Sequence, residues 1–219
     1  MKKITLALLL IILNFSAFNA FAQILGEPLE KTDSLAKEDW EAFYSKVFHR
    51  QYDFSKIQMP RYETRYNQII IVPQGLSYQT IFSILTGYEV RKKISLNINQ
   101  DLKIRDVRNN TKSYAVRIRT AGCETVYGEF AHCDDLWGER VSFGSGNYNS
   151  ITLKEYLLLF LKKYFMENKI LNNFRIETLG SIYEDLWYPE ISFFKDYYGF
   201  MELTFGSSPE FEGSITVIY

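Results

Sequence analysis

Apolar residues recur at helical spacing in three stretches of the chain. Between Thr152 and Glu167 they form a broad stripe, and Thr152 with Glu155 has the spacing of a capping box. SYQTIFSILTGY predicts a shorter helix, capped by Ser77 and closed by Gly87. A third helix is predicted from about Ser34, as N-cap, to His49. Its apolar stripe consists of Ala36, Trp40, Phe43, Tyr44, Val47 and Phe48.

Other apolar runs have the period-two or continuous pattern of strands. QIIIV is a continuous run that ends at Pro73, and Asn109-Asn110 marks a turn between two alternating runs. Further predicted strands are KISLNINQ, LKIRDVR, SYAVRIRT, FRIETLG, EISFF, GFMELTF and SITVIY. Strands and helices do not alternate regularly. We therefore predict a single α+β domain, in which a mostly antiparallel sheet packs against two or three helices.

The first 22 residues have the three parts of a secretory signal peptide. Lys2 and Lys3 are followed by an apolar core from Ile4 to Leu13 and by the small-residue site Ala20-Phe21-Ala22. The apolar core is shorter than the roughly 20 residues that a membrane anchor needs. We expect cleavage before Gln23, a polar leader over 23–33, and one domain over 23–219. The protein is then periplasmic or secreted, and the composition of the peptide is typical of bacteria.

Composition narrows the classes of partner. Hydrophobic residues make up 47% of the chain, which is enough for a full core, and the net charge is −1. A near-neutral chain lacks the basic excess of nucleic-acid-binding proteins, so we expect no nucleic-acid partner. No later apolar run has the length of a transmembrane span.

Cys123 and Cys133 are the two cysteines of the chain. In an oxidising compartment such a pair is usually bonded, and closing a loop of this size stabilises by about 2.5 to 3 kcal/mol. We predict a disulfide, no metal and no cofactor. A metal site formed by Cys123, His132, Cys133 and Asp134 is the first alternative, but it lacks the paired short spacing of zinc sites. A catalytic Cys123–His132 pair is the second, and it requires a free thiolate.

Four basic residues, Lys103, Arg105, Arg117 and Arg119, alternate along two predicted strands. If these strands pair as a hairpin, the side chains form a basic stripe. We interpret the stripe as neutralised by neighbouring acids such as Asp106, Glu124 or Glu129, because cross-strand charge pairs are ordinary surface features.

Two short segments of the chain resemble each other, and each places a tryptophan after an acidic residue. DDLWGERVSF and EDLWYPEISF align without a gap, and the sequence alone does not decide whether this is a duplication. An aromatic ring beside a carboxylate suits a sugar, since the ring covers C–H faces and the acid accepts hydroxyl bonds. The candidate binding residues are Asp135, Trp137, Tyr148, Asp185, Trp187 and Tyr188. Burial of both tryptophans in the core is the competing interpretation.

No P-loop, nucleophile elbow, HExxH or EF-hand pattern is present. We therefore predict an exported, non-catalytic binding or interaction protein of the bacterial envelope, with a protein or a glycan as partner. The alternative is an envelope-polymer hydrolase that uses Asp135 and Asp185, or Cys123 with His132.

Overall fold

The computed structural model describes residues 29–63, 66, 68–87, 103–118, 148–167, 174–184, 187–194, 200–206 and 217–219. Three helices lie within them: α1 (Leu29–Phe48), α2 (Tyr78–Gly87) and α3 (Leu153–Glu167). The strands are β1 (Gln68–Val72), β2 (Ile104–Asp106), β3 (Tyr114–Ile118), β4 (Phe174–Glu177), β5 (Ser181–Tyr183), β6 (Tyr188–Phe194), β7 (Phe200–Gly206) and β8 (Val217–Ile218). The predicted α+β fold is confirmed.

All strand pairs among the described residues are antiparallel. They form three sheets, with the orders β1-β3-β8, β2-β5 and β4-β6-β7. Strand β5 was not predicted, and β2 pairs with it rather than with β3. None of the helices in these ranges combines the length and apolar character that crossing a bilayer requires.

Helix α3 is the most deeply buried element. Every residue from Leu153 to Leu161 is buried, and each fully buried leucine or phenylalanine contributes roughly 1.5 to 3 kcal/mol. The predicted capping box is confirmed at its start. The Glu155 amide donates to Thr152 Oγ1 at 3.2 Å, and the Thr152 amide donates to Glu155 Oε2 at 2.8 Å. The helix therefore begins at the residue that the sequence indicated.

One hydrophobic core joins the helices to the sheets. Its buried residues come from α1, β1, α2, β3, α3, β6, β7 and β8. The stripe predicted for α1 is confirmed at Trp40, Phe43, Tyr44, Val47 and Phe48, all of which are buried. Ser77 caps α2 as predicted, since its Oγ accepts the Thr80 amide at 3.1 Å.

Helix α1 begins earlier than predicted. It includes residues 29–33, which the sequence placed in the leader, so Ser34 is not its N-cap. The Ser34 hydroxyl instead donates to Glu38 at 3.4 Å, one turn further along. The helix ends at Phe48, and His49 follows in the left-handed conformation with a φ of 54°.

Helix α1 also covers the outer edge of β1. Trp40 Nε1 donates to the Ile69 carbonyl at 3.0 Å, and the Tyr44 hydroxyl donates to the Ile71 carbonyl at 2.6 Å. Four helical residues rise about 6 Å and two strand residues about 6.7 Å, so the two donors match the two acceptors in spacing. The helix thus satisfies backbone groups that an edge strand would otherwise expose.

Candidate functional site

The structure describes three of the six predicted binding residues. Tyr148 and Trp187 are exposed, at 57% and 39%, while Tyr188 is buried. Consecutive strand residues point to opposite faces, which explains the contrast between Trp187 and Tyr188. The remaining predicted residues lie outside the described ranges: Asp135, Trp137 and Asp185, and with them Cys123, His132 and Cys133.

Trp187 lies on a surface that we call the aromatic patch, formed by Tyr183, Trp187 and Phe205 with Lys103 and Glu184 at its rim. Tyr183 and Trp187 are opposite each other in an antiparallel bridge, with amide-to-carbonyl distances of 2.7 and 3.0 Å. Side chains of opposed residues share a face, with Cβ atoms about 5 Å apart. The Tyr183 ring also stacks on Phe205, with centroids 4.2 Å apart.

The rim of the aromatic patch is polar. Lys103 Nζ lies 3.9 Å from Glu184 Oε1. Desolvation raises the pKa of Tyr183, and the charge and hydrogen bond of Glu184 raise it further. The Glu184 amide donates to the Lys103 carbonyl at 3.4 Å, so the two rim residues are held together by backbone as well as charge.

Tyr148 lies at the other end of β2. Its carbonyl accepts a hydrogen bond from the guanidinium of Arg108, which follows β2. Trp187 belongs to the opposite end, because its partner Tyr183 is paired with Ile104. Four strand residues span about 13 Å, so Tyr148 and Trp187 do not form one continuous surface.

Arg108 and Glu155 form a buried ion pair near the Tyr148 end of β2. Arg108 donates to both oxygens of Glu155, from Nε at 2.7 Å and from Nη2 at 2.8 Å. The Tyr114 hydroxyl donates to Glu155 Oε1 at 3.0 Å. Burial lowers the pKa of Arg108, but the hydrogen bond and charge of Glu155 outweigh it and the net pKa is raised. This arrangement holds the start of α3 to the sheets.

Asp106 is a second buried junction. Its Oδ1 accepts the Tyr78 hydroxyl at 2.5 Å and the Ser181 hydroxyl at 2.6 Å, and Lys154 Nζ lies 3.4 Å from Oδ2. Burial raises the pKa of Asp106; Lys154 and the two hydroxyls oppose the shift without cancelling it. Asp106 joins α2, β5 and α3, so its neighbours indicate a structural role.

The prediction of a basic stripe across a β2–β3 hairpin is wrong. The two strands belong to different sheets, and Arg117 is buried, where it donates to the Pro60 carbonyl at 2.9 Å and pairs with Asp33. Lys103 is exposed but paired with Glu184. Arg119 lies outside the described residues.

The described residues contain one pair of opposed carboxylates. Glu177 and Glu190 are register partners in β4 and β6, and both are buried. The Thr204 hydroxyl donates to Glu190 at 3.0 Å. Such burial keeps a polymer substrate away from the pair. Within the described ranges no group of three or more histidine, cysteine or acidic residues is arranged to hold a metal ion.

The sequence pattern did not indicate Tyr183, Glu184, Lys103 or Phe205 as members of the site. It placed Asp185 and Tyr188 beside Trp187, because these residues flank the tryptophan in the chain. The available signal was the short spacing of Tyr183 and Trp187, which allows a tight reversal that sets the two rings on one face.

Comparisons of the chain with known protein families, with curated proteins and with solved structures find no significant match.

Proposed function

We propose that the chain is an exported, non-catalytic binding protein of the bacterial envelope, located in the periplasm or secreted. It engages a protein or glycan partner through the aromatic patch. The observation that carries this proposal is the 39% exposure of Trp187 beside Tyr183, Glu184 and Lys103. A tryptophan with an apolar face and a polar rim is typical of a contact residue.

Export is supported by the signal-peptide pattern of residues 1–22, and the Cys123–Cys133 disulfide follows from export. Mass spectrometry of the native product tests both. We expect an N-terminus at Gln23 and no alkylation of either cysteine without a reductant. An intact leader with two alkylatable thiols would contradict export and reopen the metal and nucleophile alternatives.

Capture of partners from envelope extract tests the binding role. The mature protein, a Trp187→Ala variant and a Leu35→Ala control are immobilised in parallel. Leu35 is also exposed, at 48%, but lies on α1, which contributes no residue to the aromatic patch. We expect Trp187→Ala to lose material that the wild type and the control retain. Equal recovery by all three would remove Trp187 as a contact residue.

A further inference from the structure

We infer that the occupant of the aromatic patch is an uncharged glycan, with a sugar ring stacked on Trp187 and its hydroxyls bonded to Glu184 and Lys103. This inference rests on the proposed function and specifies its partner. The described structure supports it through the rigidity of the aromatic patch, its size and the chemistry of its rim.

The aromatic patch is fixed by backbone pairing on two sides. Tyr183 is bonded to Trp187 through two backbone hydrogen bonds and is also the register partner of Ile104 in β2. Its ring lies against Phe205 of β7 at an interplanar angle of 26°. A preformed platform binds a weakly held ligand such as a sugar at a low ordering cost.

The exposed apolar area is small. Of the three aromatic residues only Trp187 is exposed, while Tyr183 and Phe205 are half-buried. A stable protein interface usually covers about 800 Å² on each partner around several apolar anchors. One indole face is too little for such an interface, but it matches the C–H face of a single sugar ring.

The rim supplies the polar contacts that a sugar requires. Glu184 is a hydrogen-bond acceptor and Lys103 a donor, and their side chains are 47% and 77% exposed. Glycan hydroxyls both donate and accept, so they use the two groups together. The Glu184 amide, bonded to the Lys103 carbonyl at 3.4 Å, keeps the two rim residues side by side.

The charge of the rim excludes highly charged partners. Glu184 and Lys103 form a pair with no net charge. An anionic polymer or a single-stranded nucleic acid would also stack on an indole, but it binds through an excess of basic groups and with strong salt dependence. The aromatic patch has no such excess among its described residues, so the glycan it fits is neutral.

Affinity electrophoresis of the mature protein tests the inference. The gels contain one of three polymers: a neutral β-glucan, the neutral soluble polymer glycol chitin or, as the anionic probe, alginate. We expect a neutral glycan to retard the wild type and the Leu35→Ala control equally. Trp187→Ala weakens the retardation at least about tenfold, a difference of 1.4 kcal/mol. Trp187→Phe retains part of the binding, and Lys103→Met with Glu184→Gln loses most of it while the ring remains.

Retention of the fold is checked by circular dichroism and by the urea midpoint of each variant. No retardation by either neutral glycan, or salt-sensitive binding to alginate alone, would overturn the inference. Trp187-dependent capture of a protein from envelope extract, without glycan binding, would overturn the glycan and leave the proposed function standing. If the protein shows neither glycan binding nor Trp187-dependent capture of a protein, the proposed function is contradicted as well.

Discussion

Gly180 illustrates how a single residue sets a close approach between two segments. Its amide donates to the Ile151 carbonyl at 3.0 Å, and its carbonyl accepts the Val107 amide at 2.9 Å. A Cβ atom at this position would lie 2.4 Å from the Ser150 carbonyl oxygen, closer than packing permits. Only glycine lets the turn before β5 lie against the chain that leads into α3.

We expect Gly180→Ala to lower the free energy of unfolding by about 1–3 kcal/mol, because the methyl group meets backbone that has to move. Urea denaturation measures the loss. Gly75→Asn is the matched control, since Gly75 has a φ of 71°, which asparagine tolerates, and open space around its Cβ position. A Gly180→Ala loss no larger than that of the control would show that the contact is not tight.

A residue that is required by its near neighbours in the chain was predictable from the sequence. A residue that is required by a distant segment was not. The Thr152–Glu155 capping box and the Ser77 cap follow from side chains within four residues of the backbone groups they bind. The requirement for Gly180 arises from the carbonyls of Ser150 and Ile151, which are distant in the chain, and no local pattern indicates it.

At the scale of elements, α1 and β1 form one unit in which helix side chains replace a neighbouring strand. The periodicity of α1 predicted which of its residues are buried. It did not predict the start at Leu29, because Ser34 is a good cap in sequence but bonds Glu38 within the helix. The periodicity also did not predict the β2–β5 pairing, because the pattern of one strand does not show which of several distant strands is its partner.

We expect Tyr44→Phe to destabilise the protein by about 1–3 kcal/mol, because it leaves the buried Ile71 carbonyl without its 2.6 Å donor. Tyr52→Phe removes a hydroxyl from a half-buried ring of the same aromatic cluster and is expected to change stability little. Thermal unfolding of the two variants measures both changes in stability. Equal losses of stability in the two variants would mean that the hydrogen bond from Tyr44 to the Ile71 carbonyl does not stabilise the protein.

At the scale of the whole molecule, a polar junction holds helices and sheets together beside the apolar core. Asp106 contacts Tyr78 of α2, Ser181 of β5 and Lys154 of α3. Glu155 lies nearby and also raises the pKa of Asp106. Composition predicted a large core, but it could not predict that buried charges would join the elements.

The raised pKa of Asp106 gives the folded state a proton that the unfolded state releases at lower pH, near 3.8. Its contribution to stability is therefore present at acid pH and is lost as pH rises through the folded pKa. We expect the stability of the wild type relative to Asp106→Asn to fall as pH rises above the unfolded pKa of 3.8 and through the raised folded pKa, as measured by urea unfolding.

Asp53→Asn provides a control of opposite sign. Hydrogen bonds from Ser55 lower the pKa of Asp53, so its contribution is present above the unfolded pKa and is lost as pH falls. A stability difference between wild type and Asp106→Asn that does not vary with pH would contradict the assignment of the raised pKa to Asp106.

The candidate site was predictable only in part. Trp187 is exposed, as a binding residue requires, and Tyr183 is its neighbouring ring. Asp185, the acid that the sequence pattern placed beside Trp187, lies outside the described residues. The chain reverses between Tyr183 and Trp187, which brings these residues together, and the side chains on either side of a reversal depend on its register. A one-residue difference in register exchanges the two faces.

The hydrogen bonds from α1 to the edge of β1 also bear on the order in which the chain is made. A ribosome makes Trp40 and Tyr44 before Ile69 and Ile71. The donors are thus already present when the strand emerges. When β1 emerges, α1 can already cover this edge, whereas the opposite edge is paired only after β3 is made. A circular permutant that places α1 behind β1 would delay this cover while keeping every native contact.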